Sequence, residues 1–189
     1  MRIIAGKMKG TSLYLSKNKN TRPLKDIARE SIFNLLKHSN KISFKFERSN
    51  ILDLYAGTGS FGLECISRDS ENVFFIENEK DAKKILEKNI KKLQVKKKTK
   101  VIFGDVFKIL EKKNINLPKF DLIFCDPPFK FTKMKKLIEL IFGKSLLNEG
   151  GIIIAHRYKT TRESFPNDFK IIEERIYGIS KIIFGKFLS

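Results

Sequence analysis

Residues 51–62 read Ile51-Leu52-Asp53-Leu54-Tyr55-Ala56-Gly57-Thr58-Gly59-Ser60-Phe61-Gly62. The apolar start reads as a strand ending at Asp53–Leu54. A glycine-rich turn follows, and a helix is expected from about Ser60. Gly57, Gly59 and Gly62 fit the G-x-G-x-x-G spacing, and Glu77 lies twenty residues after Gly57, at the end of the apolar run Val73–Ile76. Such a unit binds a nucleotide-like cofactor, with the acidic residue on the ribose hydroxyls. Asp53, four residues before the first glycine, bears on which cofactor. A carboxylate beside a pyrophosphate is repelled. Beside the ammonium and sulfonium groups of S-adenosylmethionine it is attracted, so the stretch favours that cofactor over a dinucleotide.

From Ile51 onward strand-like and helix-like segments alternate. Strands are predicted at 51–54, 72–77, 100–104, 120–125 and 151–156, and helices at 60–68, 79–93, 106–112 and 132–142. Near-continuous apolar strands separated by helices imply a parallel sheet covered on both faces. Upstream, Arg2–Ala5 and Thr11–Leu15 flank Gly6–Gly10 and read as a short hairpin. Lys25–Leu36 reads as an amphipathic helix with Ile27, Ala28, Ile32, Leu35 and Leu36 inward, opened by Arg22-Pro23 because proline suits a first helical turn. Residues 38–49 read as a loop. Phe169–Tyr177 and Ser180–Leu188 flank Gly178 as a closing hairpin.

Ligand sites of parallel sheets lie beyond the carboxyl ends of their strands. Asp53, Glu77, Asp105 and Asp126 all fall there. Asp105 can take an adenine amino group, with the Val106 N–H beside it, or can simply cap the next helix. Asp126 opens Asp126-Pro127-Pro128-Phe129 at the end of the apolar run Phe120–Cys125. Two prolines remove two N–H donors and stiffen the chain while leaving the carbonyls available. A carboxylate, a rigid carbonyl and an aromatic plane are thereby placed side by side. That set suits a flat heterocycle with an exocyclic amine: the oxygens accept its N–H groups and Phe129 stacks on its face. Cys125 is not read as a nucleophile, because strand alternation puts it on the opposite face from Asp126.

A length of 189 residues with 41% hydrophobic content fits one α/β domain with a substantial core. It is too short to join a full dinucleotide domain to a separate substrate domain. The net charge of +18, from 39 basic and 21 acidic residues, predicts attraction to nucleic acid. Abundant Lys, Asn, Ile and Phe also suggest an A/T-rich genome, which contributes to that charge. Residues 1–50 carry twelve basic and three acidic residues, and this region is read as the nucleic-acid surface. Residues 78–100 carry ten basic and three acidic residues and read as a helix with Ala82, Leu86, Asn89, Ile90 and Leu93 inward and its lysines solvated. No run reaches transmembrane length, the start lacks the apolar core of a signal peptide, and no His or Cys pairing suggests a metal. Cys65 and Cys125 without redox spacing point to a reducing cytoplasm.

The chain resembles class I S-adenosylmethionine-dependent methyltransferases, and more narrowly the bacterial 16S rRNA guanine-N2 methyltransferase family. The matching segments are Arg2-Ile3-Ile4-Ala5-Gly6-Lys7 with Gly10; Arg22-Pro23, Asp26, Arg29-Glu30, Phe33-Asn34 and Leu36; Asp53 to Glu64; Asp126–Phe129; and Tyr177-Gly178. The resemblance implies a seven-stranded, doubly wound, mostly parallel Rossmann-like sheet with an antiparallel last strand, preceded by the short hairpin and helix. Residues 1–49 would form a basic extension and 50–189 the core of a single methyltransferase domain. It implies cofactor contacts from Asp53, the loop Tyr55-Ala56-Gly57-Thr58-Gly59, Glu77, Asp105 and Val106. Asp126, Pro127 and Phe129 would hold the target guanine. Lys7, Lys9, Arg22 and Arg29 are the candidate RNA contacts. The implied partner is small-subunit rRNA or an assembling 30S subunit, met by a monomer. Leu24 and His156-Arg157 depart from the family pattern, which has a small hydroxyl residue and an acidic residue at those places. His156, at the end of a strand, can face the site, but a surface or packing role is the expectation. An adenine-N6 methyltransferase, a non-catalytic RNA-binding module and a small nicotinamide-binding protein stay open as alternatives.

Overall fold

The computed structural model describes residues 1–16 and 26–188. Its centre is β1 (Asn50–Leu54), with every residue from Ile51 to Leu54 buried. A strand closed on both faces must be apolar throughout, and Ile51-Leu52-Asp53-Leu54 is, except for Asp53. β1 pairs in parallel with β2 (Asn72–Glu77) on one side and β4 (Phe120–Cys125) on the other. β3 (Thr99–Phe103) continues the sheet beyond β2, and β5 (Leu147–Tyr158) lies beyond β4. β7 (Ser180–Phe187) runs antiparallel to β5, and β6 (Phe169–Tyr177) closes the edge antiparallel to β7. The order is therefore β3-β2-β1-β4-β5-β7-β6, a doubly wound, mostly parallel seven-stranded sheet. The chain reverses direction of growth at β1/β4, where such sheets form their ligand crevice.

Two apolar layers flank the sheet. On one face lie α1 (Asp26–His38), α2 (Ser60–Ser67) and α3 (Lys80–Lys92), with Phe33, Phe61, Leu63 and Leu86 packed against Phe75, Phe124 and Phe184. On the other lie α4 (Val106–Leu110) and α5 (Met134–Gly143), with Leu110, Leu137 and Ile141 against Leu52, Ile123 and Ile153. Successive β4 residues serve the two layers in turn: Leu122 and Phe124 one, Ile123 and Cys125 the other, as a period of two requires. Gly62 is where α2 comes closest to β2. A Cβ there would sit 2.4 Å from Phe75 Cε1 and 2.7 Å from Val73 Cγ1, so the third glycine serves helix–sheet packing.

The expected N-terminal hairpin is present: its flanks bond to each other through the Ile3 N–H to the Thr11 carbonyl (3.0 Å), the Gly10 N–H to the Ile3 carbonyl (2.9 Å) and the Leu13 N–H to the Met1 carbonyl (3.0 Å), around the antiparallel bridge of Arg2 with Ser12. It is also tied to α2, where the Lys7 N–H donates to the Ser67 carbonyl and Glu64 accepts the Ile4 and Ala5 amides. The structure differs from the sequence reading in two places. In α1, Ile27 is 71% exposed rather than inward. The buried stripe runs Ala28/Arg29, Ile32/Phe33, Leu36, so the bulk of Phe33 sets the rotation of the helix. β5 exceeds the predicted 151–156 at both ends. Leu147 pairs with Phe120 across a bulge, and Arg157 and Tyr158 are drawn into the strand by pairing with β7.

Candidate active site

The carboxyl ends of β1, β2 and β4 meet at one edge of the sheet. Leu54 pairs with both Ile76 and Cys125, and the Asp126 N–H donates to the Leu54 carbonyl at 3.3 Å. Asp126 is thereby set beside the loop Tyr55–Gly59. Tyr55 (φ 60°), Gly57 (φ 56°) and Gly59 (φ 82°) adopt left-handed backbone, which turns the chain sharply from β1 into α2. For Tyr55 this conformation is costly, and its ring is held edge-on to Phe131 with centroids 5.7 Å apart. The surrounding burial pushes the Tyr55 hydroxyl pKa upward. The Gly59 N–H donates to the Ala56 carbonyl (2.8 Å), and Asn89 of α3 donates to the Thr58 carbonyl (3.0 Å) and to Tyr14 (3.1 Å). Asn89, read from sequence as part of an apolar stripe, is the pin joining the N-terminal arm, α3 and the glycine loop.

The acidic residues take different positions around this loop. Asp53 is 1% exposed, and its Oδ2 accepts the Gly62 N–H at 3.0 Å, satisfying a free amide at the start of α2. Burial raises its pKa well above the ordinary carboxylate range, and the neighbouring Asp126 and Glu77 push it the same way. Glu77 accepts from the Gly57 N–H (2.6 Å), the Asn78 N–H (2.9 Å) and the Glu79 N–H (2.7 Å). A carboxylate has about four acceptor positions, so one direction of Glu77 is left for a ligand hydroxyl. Asp105 caps α4, its Oδ1 accepting the Lys108 N–H at 3.0 Å, with Val106 buried behind it.

The Asp126–Phe129 loop is braced from β5. Arg157 is wholly buried; its guanidinium donates to the Pro128 carbonyl (3.3 Å) and the Phe131 carbonyl, and pairs with Glu163. A diproline turn has surplus carbonyls and too few amides, and Arg157 supplies the missing donors. Phe129 packs against His156 (centroids 5.8 Å, near perpendicular) and Tyr158 (5.3 Å). His156, expected to have a surface or packing role, stands in the site: Nδ1 lies 2.7 Å from Asp126 Oδ1 and Nε2 lies 2.9 Å from Ser180 Oγ. Cys125 is fully enclosed on the other face, and burial drives its thiol pKa up. A signal for Arg157 was present in the sequence: a charge ending the apolar run Ile152–Ala155 inside a sheet needs buried partners. Ser180 carried no local signal, because only the β5–β7 pairing brings it near.

The four candidate RNA contacts are not gathered. Lys7 and Lys9 are exposed on the N-terminal arm, Lys7 paired with Asp69. Arg29 is 0% exposed and donates to the Arg2 carbonyl at 2.6 Å, so it ties the arm to α1 instead of facing solvent. Arg22 lies outside the described residues. Lysines of α3, read as a solvated face, line a groove with the arm: Lys84, Lys88, Lys91 and Lys92 beside Tyr14, with Lys92 Nζ 4.8 Å from the Tyr14 ring centroid. Among the described residues no group of three or more His, Cys, Asp or Glu forms a metal site, and no helix is long and apolar enough to cross a membrane.

A mostly parallel seven-stranded sheet with an antiparallel β7, a glycine loop after β1 and acids at the carboxyl ends of β1, β2, β3 and β4 is the architecture of class I methyltransferases. The chain belongs to the family described as "Conserved hypothetical protein 95", whose model matches residues 1–186. It is 33% identical over 187 residues to the "Putative rRNA methyltransferase YlbH" of Bacillus subtilis, covering 98% of each chain. It is 30% identical to "Ribosomal RNA small subunit methyltransferase D" of Haemophilus influenzae, covering 95% of this chain and 90% of that one. The crystal structure of "putative methylase HI0767" from Haemophilus influenzae superposes with a TM-score of 0.79 at 29% identity, over 100% of this chain and 98% of that one.

The raised pKa of Asp53 means the folded protein binds more protons than the unfolded chain between the two values, so stability falls as pH rises through that window. Asp53→Asn keeps an acceptor for the Gly62 N–H and removes the buried charge. It is expected to melt higher than wild type at pH 8, by about 2–4 °C for each kcal/mol relieved, with the gap closing toward pH 4. Equal melting points across that range would refute the assignment.

Proposed function

We propose that this chain transfers a methyl group from S-adenosylmethionine to the exocyclic N2 amine of a guanine in small-subunit rRNA. The observation that carries the reading is the acidic ring around the glycine loop, directly beside the Asp126–Phe129 turn. Asp53, Glu77 and Asp126 lie close enough for mutual repulsion to act on Asp53. Such a cluster calls for a cationic ligand and repels a pyrophosphate. S-adenosylmethionine carries an ammonium and a sulfonium, plus a ribose for Glu77 and an adenine for Asp105 and the Val106 N–H. Space above the loop is open: a Cβ on Gly57 would meet nothing within 4 Å. The relatives named as rRNA methyltransferases support RNA as the substrate. So do the net charge of +18 and the lysine-lined groove beside Tyr14, where phosphates and a stacked base would be met.

The bound cofactor supplies a sulfonium-activated methyl group. The chain's own residues do the rest. The exocyclic amine is a weak nucleophile because its lone pair is delocalised into the ring. The Asp126 carboxylate and the Pro127 carbonyl accept its N–H bonds and draw the nitrogen toward a tetrahedral, nucleophilic geometry. Phe129 stacks on the base and fixes its plane, which aligns nitrogen and methyl carbon for in-line transfer. After transfer the nitrogen carries one proton too many, and Asp126 is placed to take it and pass it to water. The base must be unpaired or flipped to enter. In this reading residues 50–189 are the core and residues 1–49 a basic extension of one domain. The partner is an assembling small subunit, met by a monomer in the cytoplasm.

The test uses labelled S-adenosylmethionine with free rRNA or with small subunits lacking the modification, followed by mass spectrometry of the nucleosides. N2-methylguanosine is the expected product. Label confined to N6-methyladenosine would replace the guanine reading by the adenine one, and no label in any nucleoside would end both.

A further inference from the structure

We infer that His156 and Ser180 form a positioning relay that sets the orientation of the Asp126 carboxylate for methyl transfer. The inference rests on the reading of Asp126 just given.

The geometry is a chain of three side chains from three strands. Asp126 follows β4, His156 lies in β5 and Ser180 opens β7. The two links are 2.7 Å and 2.9 Å. His156 is 5% and Ser180 3% exposed, while the Asp126 side chain is 22% exposed. The relay is thus enclosed at its root and open at the carboxylate. An ionised carboxylate only accepts hydrogen bonds, so His156 Nδ1 carries the proton that points at Asp126. In the neutral ring Nε2 then accepts from the Ser180 O–H; in the charged ring Nε2 donates to the Ser180 oxygen. Either way the Nδ1–H faces Asp126, and Ser180 keeps the ring from turning.

The consequence falls on Asp126. With Oδ1 tied to the imidazole, the carboxylate cannot rotate about its Cβ–Cγ bond, and Oδ2 is the oxygen presented to the amine. Phe129 packs on the edge of the same imidazole, so the ring locates the stacking plane and the acceptor together. An untied carboxylate after a diproline turn would sample orientations that miss the nitrogen. His156 touches no reacting atom in this scheme and acts through Asp126.

The test separates positioning from folding. His156→Leu is expected to lower kcat by roughly 10- to 100-fold, the cost of a misplaced reacting partner, with KM for S-adenosylmethionine unchanged because its contacts lie on the glycine loop. His156→Asn places an amide N–H where Nδ1–H stood and is expected to recover most of that loss. Calorimetric titration with S-adenosylmethionine shows that each variant is folded. A Leu variant with wild-type kcat, or an Asn variant as slow as Leu, would overturn the relay. Asp126→Ala is run alongside: wild-type turnover there would instead bring down the reading of Asp126 itself.

Discussion

Asp126→Ala will fold, bind S-adenosylmethionine and turn over roughly 100- to 1,000-fold more slowly than wild type, the usual cost of losing one preorganised polar group at the reacting centre. The expectation of normal folding comes from its surroundings. The Asp126 side chain is 22% exposed, so truncation opens no closed cavity, and its backbone N–H keeps its bond to Leu54. Removing it also relieves Asp53, whose pKa the Asp126 charge raises. Against that relief stands the His156 Nδ1–H, which loses its acceptor at 2.7 Å at a cost of about 1–3 kcal/mol, so the fold is retained with at most a modest loss of stability while catalysis falls far more, a combination that a purely structural residue does not give. The loss should fall on kcat, because the acceptor matters most as the amine nitrogen becomes tetrahedral, and only slightly on KM for the cofactor. Single-turnover assays with saturating cofactor and RNA measure it directly. A folded alanine variant with undiminished turnover would remove Asp126 from the chemistry. Asp126→Asn sharpens the point: it keeps size and one acceptor but turns the other position into a donor, and is expected to be nearly as slow on guanine.

The parallel core was readable because its signals are local. Each of the runs 51–54, 72–77 and 120–125 is mostly apolar, with one or two polar residues, and each is followed by a polar or glycine turn. The observed β1, β2 and β4 match those runs to within a residue. The positions of Asp53, Glu77, Asp105 and Asp126 at strand ends were readable for the same reason. What the local pattern does not contain is pairing between distant strands. The length of β5, the inward turn of His156 and the presence of Ser180 behind it all depend on β7 lying against β5, residue Tyr158 opposite Ser180. Arg29 fails for a related reason. Arginine on an amphipathic helix reads as exposed, yet the Phe33 stripe places it inward, where the Arg2 carbonyl receives it. The hairpin at Gly6–Gly10 was readable from its turn chemistry, and its flanks do bond to each other, but nothing local foretold that it would also bond to α2.

Glu64→Ala should be the most destabilising single change among the residues discussed, lowering the unfolding free energy by about 3–5 kcal/mol, as expected when one partner of a buried charged network is removed. Glu64 sits in α2 at 0% exposure. Its Oε2 accepts the Ile4 N–H at 2.7 Å, and its Oε1 accepts the Ala5 N–H at 3.0 Å and the Arg68 Nε–H at 2.8 Å. Alanine would strand two backbone amides and a guanidinium at once. Each unmet buried donor costs about 1–3 kcal/mol. Arg68 also lies 4.4 Å from the Phe33 ring centroid, so its release loosens α1 as well. The damage spreads along the arm: Met8 N–H and the Ala5 carbonyl bond to Ser67 Oγ, and Tyr14 bonds to Asn89, which holds the glycine loop. Glu64→Gln retains one acceptor and loses the charge for Arg68, so its loss should be intermediate. Urea unfolding of the three proteins decides the matter, with the alanine variant also expected to bind S-adenosylmethionine more weakly as the pin at Asn89 slackens. An alanine variant within 1 kcal/mol of wild type, the margin of a typical single hydrogen bond, would show that the arm is held by its apolar contacts, Ile3 and Leu13, and not by the buried glutamate.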